Sequence, residues 1–157
     1  VKPANLKVKN CLERAGYECE IRILSDAVRT AQLAADALGC EVGQIANSLI
    51  FRDQANNEAV LIMCAGDRCV DLQKVRLETG IELGKADAEF VRQQTGFAIG
   101  GVPPVGHAKS LRTLLDDSLW RHAVIWVAAG TPESVFRMNP QQLQQITQGA
   151  WLDIAQD

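Results

Sequence analysis

The sequence predicts an α+β fold built on a mixed sheet. Three observations lead there. Apolar residues alternate with period two in some segments and recur with helical spacing in others, and the two kinds are interspersed along the chain. Two strand-like runs, Ile45 to Phe51 and Ala59 to Ala65, are separated by a polar turn at Asp53 to Asn57, the pattern of an antiparallel hairpin. No G-x-G-x-x-G follows a strand and no P-loop lysine motif occurs, so a doubly wound nucleotide-cofactor fold is not indicated.

Each element has a local cause. Pro3 to Ala15 reads as a helix, with proline in the first turn and Gly16 as the stop. In Tyr17 to Ile23, Tyr17, Cys19, Ile21 and Ile23 face one way and Glu18, Glu20 and Arg22 the other, as in a half-buried strand. Thr30 can cap a helix that runs through Leu38 and ends at Gly39. The hairpin follows. Asp71 caps a helix to about Thr79, closed by Gly80, and a short helix spans about Asp87 to Gln94. Strands are expected near Leu111–Leu115, Ala123–Ala128 and Ser134–Arg137. Asn139-Pro140, a cap followed by a first-turn proline, starts a last helix that runs to Gln148 and stops at Gly149.

Composition narrows the function classes. The 157 residues fit one domain, 1–157, with 47% hydrophobic and 22% charged residues, an ordinary globular balance. No apolar run approaches the roughly 18 residues of a membrane span, and the opening Val1-Lys2-Pro3-Ala4-Asn5 does not read as a secretory signal. The five cysteines are odd in number and form no C-x-x-C pair, while His107 and His122, the only histidines, are remote from them. No metal site is therefore expected, and reduced, mostly buried thiols in a cytoplasmic protein fit better. A net charge of −3 argues against coating DNA or a membrane by bulk charge. It leaves room for a local patch, either at Lys109 and Arg112 or at Arg68, Lys74 and Arg76.

The most informative stretch is Thr95 to His107, with Gly96, Gly100, Gly101 and Gly106 around the adjacent Pro103 and Pro104. Glycine permits close backbone approach and positive φ; proline fixes φ and removes an N–H. Two readings are open: a stiff loop whose remaining N–H groups hold an oxyanion, carboxylate or phosphate, or a turn between strands. Asn47 is the odd residue of its strand, since asparagine is depleted in strands and alternation puts it with Ile45, Leu49 and Phe51. It marks either a bulge or bond to a neighbouring loop, or an amide lining a pocket. His107 closes the loop. Asp67 follows Gly66 at the end of the second hairpin strand, and Asp116 and Asp117 end the strand after the loop. Ser48 and Ser110 lie in no G-x-S-x-G elbow.

Taken together in order, these residues resemble the YbaK/prolyl-tRNA synthetase-associated editing-domain family of aminoacyl-tRNA deacylases. The resemblance covers nearly the whole chain. It is carried by Thr30-Ala31 with Ala34-Ala35 and Ala37-Leu38-Gly39; by Gly43-Gln44-Ile45 with Ser48-Leu49-Ile50-Phe51; and by Ala65-Gly66-Asp67 with Val70-Asp71. Thr95-Gly96-Phe97, Gly100 to Gly106 and Asp116 complete it. It implies a strongly curved, partly open barrel-like sheet flanked by helices, and hydrolysis of a wrongly attached amino acid from the tRNA 3′ end. The implied catalytic positions are Asn47, Gly101 and Pro104, the last two bounding a G-x-x-P loop that offers backbone groups to the ester. The implied substrate-binding positions are Thr30, Ser48, Gly66, Asp67, Gly100, Val102, Pro103, Gly106, His107 and Asp116. No cofactor is implied. The implied partners are the aminoacyl-tRNA 3′ end and an aminoacyl-tRNA synthetase.

One departure stands out. Many members carry a lysine important for activity, and that lysine falls on Asn47 here. An amide donates hydrogen bonds but carries no charge, so it anchors a phosphate or carbonyl more weakly. The expected activity is trans-editing of a tRNA carrying a small amino acid, with Asn47 and Ser48 as polar groups for a hydroxyl-bearing side chain. The alternative is a non-catalytic module that binds the aminoacyl-tRNA end or a synthetase.

Overall fold

The structure, a computed structural model, describes residues 1–156. In chain order its elements are α1 (Pro3–Arg14), β1 (Arg22–Ile23), α2 (Ala31–Leu38), β2 (Ile45–Asp53), β3 (Ala59–Ala65), β4 (Cys69–Val70), α3 (Leu72–Thr79), β5 (Leu83–Gly84) and α4 (Ala88–Thr95). After the Gly/Pro loop come β6 (Arg112–Asp116), β7 (Ile125–Ala128), β8 (Ser134–Met138), α5 (Pro140–Thr147), β9 (Ala150–Leu152) and β10 (Ala155–Gln156).

The main sheet has eight strands in the order β1-β8-β7-β2-β3-β6-β9, with β5 added beside β2. It is mixed: β2 and β3 form the expected antiparallel hairpin, whereas β2–β7, β3–β6 and β6–β9 are parallel. The sheet is not closed. β4 and β10 form a separate two-stranded ribbon.

β3 is the centre of the molecule, and all seven of its residues are buried. Leu61, Met63 and Ala65 pack on one face with Val8 and Leu12 of α1, Val91 of α4, Phe97 and Leu143 of α5. Val60, Ile62 and Cys64 pack on the other with Val75 of α3, Ile81, Leu83 and Ile154. Burial on both faces explains why β3 is a continuous apolar run and not an alternating one. A smaller cluster joins Ala34 and Ala35 of α2 to Ile45, Trp126 and Val135, seating α2 over the β2–β7–β8 side of the sheet.

The expected caps form. Thr30 Oγ1 accepts from the Leu33 N–H at 3.1 Å, Asp71 from Gln73 and Lys74, Asp87 from Phe90, and Asn139 from Gln142. Two expectations need correction. Within Tyr17–Ile23 only Arg22 and Ile23 join a strand ladder, pairing with Val135 and Ser134 of β8. Tyr17, Cys19 and Ile21 do pack against the core, so the alternation reports side-chain packing without strand pairing. At the end of α5 the left-handed residue is Gln148, with φ 56°, and not Gly149. Gly149 is required for closeness, because a Cβ there would lie 2.9 Å from Leu115 Cγ and 3.0 Å from the Thr113 carbonyl of β6. The thiols are also less buried than expected: only Cys64 is fully buried, and Cys69 is exposed.

Candidate functional site

The site begins where two strands part. β7 lies beside β2 only at Ile45↔Trp126 and Ala46↔Val127. β5 takes the same edge of β2 at Arg52 and Asp53. Between these pairings no strand among the described residues covers that edge, and the gap opens into a cavity of about 520 Å³. β2 contributes Asn47, Ser48 and Leu49 to its wall, the start of α2 contributes Thr30 and Ala31, and β7 contributes Trp126 and Ala128. The β7–β8 turn adds Pro132 and Glu133, and the Gly/Pro loop adds Gly100.

Of the positions singled out in the sequence, Asn47, Ser48, Thr30 and Gly100 are thus brought together. The β2–β3 ladder runs unbroken through Asn47, opposite Cys64, so Asn47 marks no bulge. Its amide has no hydrogen-bond partner among the described residues and is half-buried at the cavity wall. Ser48 behaves differently: its hydroxyl turns to the core and meets Met63 Sδ at 3.2 Å. The Thr30 oxygen caps α2 and retains its own O–H for the cavity side.

The loop is fixed by contacts that leave little play. Thr95, fully buried, bonds through Oγ1 to the Val91 carbonyl at 2.7 Å and receives the Phe97 N–H at 3.0 Å. Gly101 to Pro104 are all buried. A Cβ on Gly101 would lie 2.5 Å from Thr131 C and 2.8 Å from Pro132 N, so only glycine fits against that turn. The Gly101 N–H donates to the Ala98 carbonyl at 3.0 Å, and Pro103 and Pro104 have no N–H to offer. The loop therefore meets the cavity through Gly100, while Gly101, Val102, Pro103, Pro104 and Gly106 lie behind it. His107 Nε2 sits 2.6 Å from the Pro103 carbonyl, so that nitrogen carries the proton, and burial pushes the histidine pKa down. His107 closes the loop on itself and is not part of the cavity wall.

A buried polar network holds the opposite side of this contact. Asn5 of α1, with no exposed surface, donates to the Ala129 carbonyl and to Ser134 Oγ, both at 2.8 Å. Ser134 Oγ lies 2.6 Å from Thr131 Oγ1 and receives the Thr131 N–H at 3.2 Å. This fixes the β7–β8 turn against which Gly101 rests. Lys2 Nζ bonds Glu133 at 3.0 Å, and that ammonium keeps the carboxyl at the cavity wall below its ordinary pKa.

Gly66, Asp67 and Asp116 lie outside the cavity wall. Gly66 lets the chain pass Val42 and Ala31, since a Cβ would lie 2.6 Å from the Val42 carbonyl oxygen and 2.9 Å from Ala31 Cβ. Asp67 forms a two-point ion pair with Arg121 at 2.8 and 3.0 Å, which holds its carboxyl below the usual range. Asp116 is 1% exposed and fully engaged: it accepts the Ala65 and Ser118 N–H groups at 3.0 and 2.9 Å, and the Ser118 hydroxyl at 2.7 Å. It ties β3 to the turn after β6. Burial, with Asp116 alongside, pushes the Cys64 thiol up to about 12, so it is no thiolate at neutral pH. In the expected second basic patch, Lys74 pairs with Asp153 and Arg76 with Glu82, whereas Lys109 and Arg112 are exposed.

Sequence reasoning missed Trp126, Pro132, Glu133 and the Asn5–Ser134–Thr131 network. Nothing local links Thr131-Pro132 to Gly101 thirty residues earlier. Asn5 carried no signal inside its helix.

Residues 25–146 match the family model described as the aminoacyl-tRNA editing domain. YwhH of Bacillus subtilis, an uncharacterised protein, is 33% identical over 129 residues, covering 82% of each chain. EbsC of Enterococcus faecalis, named for a proposed Cys-tRNA(Pro)/Cys-tRNA(Cys) deacylase activity, is 25% identical over 126 residues, 80% of this chain and 76% of EbsC. The crystal structure of a proposed trans-editing enzyme for prolyl-tRNA synthetase superposes with a TM-score of 0.93 at 39% identity, covering 100% of this chain and 99% of that one.

Proposed function

This chain belongs to the aminoacyl-tRNA editing-domain family, and from that premise we propose that it hydrolyses the ester linking a small, wrongly attached amino acid to the 3′ end of a tRNA. The observation that supports this reading is the shared cavity of Asn47 and Gly100, an unpartnered amide and a glycine of the stiff loop on one wall system. Its volume, about 520 Å³, falls within the roughly 300–1,000 Å³ of small-ligand sites, room for an aminoacyl group and part of its ribose.

Hydrolysis requires water to attack the ester carbonyl and a donor to meet the charge that develops on its oxygen. Asn47 is the side-chain donor in this role; one such donor is worth about 3–4 kcal/mol in rate. The ionisable groups on the wall are Asp26, Arg29 and Glu133, with no histidine or cysteine among them. The neighbouring ribose hydroxyl is then the group that positions the water. The exposed Arg29 on the cavity wall, with Lys109 and Arg112 elsewhere on the surface, offers cations to the tRNA backbone, and a synthetase supplying the mischarged tRNA is the protein partner.

The test is a panel of tRNAs mischarged with serine, threonine, alanine and cysteine. Wild-type protein is expected to release at least one of these amino acids, and Asn47→Ala to slow that release about a hundredfold. No release from any of them overturns the hydrolase reading. Tight binding of the charged end without ester loss identifies a binding module, the reading favoured by an uncharged residue at position 47.

A further inference from the structure

The walls described so far supply few donors: the Ser48 hydroxyl points to the core, and the Gly101 N–H is already used. The main chain of the parted strands supplies what the side chains do not.

In an antiparallel pair, successive residues direct their N–H and C=O groups alternately to the two edges. The Ile45 carbonyl accepts the Gly66 N–H at 2.7 Å, which sets the phase: Ile45, Asn47, Leu49 and Phe51 face β3. Ala46, Ser48, Ile50 and Arg52 therefore face the other edge. Ala46 meets β7 there and Arg52 meets β5, as the register requires. Ser48 meets no strand. On β7 the Ala129 N–H donates to the Ser134 carbonyl of β8, so Ala128 directs its carbonyl toward β2. One more step of the β2–β7 ladder would join the Ser48 N–H to that carbonyl, but the ladder stops at Ala46↔Val127. Ser48 and Ala128 both line the cavity, and among the described residues nothing pairs with these groups. On the cavity wall the interrupted ladder leaves one donor, the Ser48 N–H, and two acceptors, the Ser48 and Ala128 carbonyls.

Resting on the hydrolase reading for its choice of ligand, we propose that this interrupted ladder is a main-chain receptor for the α-aminoacyl group. The Ser48 N–H donates to the acyl carbonyl oxygen alongside the Asn47 amide, and the α-ammonium donates to the Ser48 and Ala128 carbonyls. A protonated amine has three N–H donors and no acceptor, the complement of two facing carbonyls. Of the charged groups on the wall, Arg29 offsets Asp26, and Glu133 is already paired with Lys2, so selection for the cation rests on the two carbonyls. The receptor reads the part common to all aminoacyl esters, so the amino-acid side chain is left to Thr30 and Trp126.

The test uses two non-hydrolysable probes: alanine joined by an amide to 3′-amino-3′-deoxyadenosine, and its N-acetyl derivative, which has lost the charge and two of the three donors. The parent is expected to bind at least tenfold more tightly and to shift and protect the Ser48 amide in 15N-resolved spectra. Equal affinity for the two probes, binding by neither, or binding that leaves the Ser48 amide unmoved overturns the proposal. Hydrolysis is scored separately on alanyl-tRNA and N-acetylalanyl-tRNA. Selective probe binding without ester release removes the hydrolase and keeps the receptor; equal release from both tRNAs does the reverse.

Discussion

Along one edge of β2, seven consecutive residues pair with β3, from Ala46↔Ala65 to Arg52↔Ala59. Along the other, two residues pair with β7, two with β5, and the stretch between faces a cavity. The same strand thus builds the core on one side and the candidate site on the other. The difference lies in what lies beyond each edge. β3 is apolar on both faces and is held by helices on each, so its alignment with β2 cannot slip without exposing a buried face. β7 leads into the Ala129–Glu133 turn, which is held away from β2 by Asn5 and Ser134 and carries the Gly/Pro loop on its back. A gap between strands is here a supported structure, kept open by buried polar contacts.

Substitutions on the two sides should separate stability from activity. The largest loss of stability is expected at Ile62 of β3, fully buried opposite Leu49: Ile62→Ala should cost about 2–5 kcal/mol in denaturant unfolding. Protein that remains folded should still bind the alanyl probe. Equal loss of probe affinity per folded molecule would dissolve the distinction between the edges.

Gly101→Ala comes next. Its Cβ meets main chain, which cannot rotate away, so about 1–3 kcal/mol of overpacking is expected. Here the stability loss should come with a drop in kcat larger than the change in KM, since the turn that borders the cavity must shift. Unchanged kcat would mean that the loop and the cavity are mechanically independent.

The smallest effect is expected at Asp67, remote from the open edge. Its pKa is held below the ordinary 3.8 by Arg121, so the pair contributes stability above that value and loses it as pH falls through the lower folded value. Both side chains are about one-third exposed, 38% and 33%, so solvent screens the pair and less than about 1 kcal/mol is at stake. Asp67→Asn should flatten the acid limb of the stability profile below about pH 4 and leave turnover near neutrality unchanged. A large loss of turnover would give Asp67 a role at the substrate.

The hairpin, the helices with their caps and the mixed character of the sheet were legible in the sequence because each rests on local signals: alternation, Asx or Thr caps, and glycine after a helix. The short strands β4, β5, β9 and β10, two or three residues each, were not, because pairing so brief leaves no period to read. At the site, Asn47 was legible as a polar residue out of place in a strand. The Gly/Pro loop joins α4 to β6 and so is no turn between two strands; much of it serves close packing, with Gly101 against Thr131–Pro132, while Gly100 reaches the cavity. The parting of β2 from β7 was illegible. It depends on contacts between residues about 125 positions apart, such as Asn5 with Ala129, and a single chain carries no mark of such distances.

Lys2 and Asn5 lie ahead of the segment, 25–146, that matches the family model, yet they brace the far bank of the cavity. A fragment cut to the matched segment would keep nearly every group that faces a ligand and lose the prop that spaces them. Selection for a new cargo has the same lever: altering how α1 leans on the β7–β8 turn would resize the chamber while leaving its lining untouched.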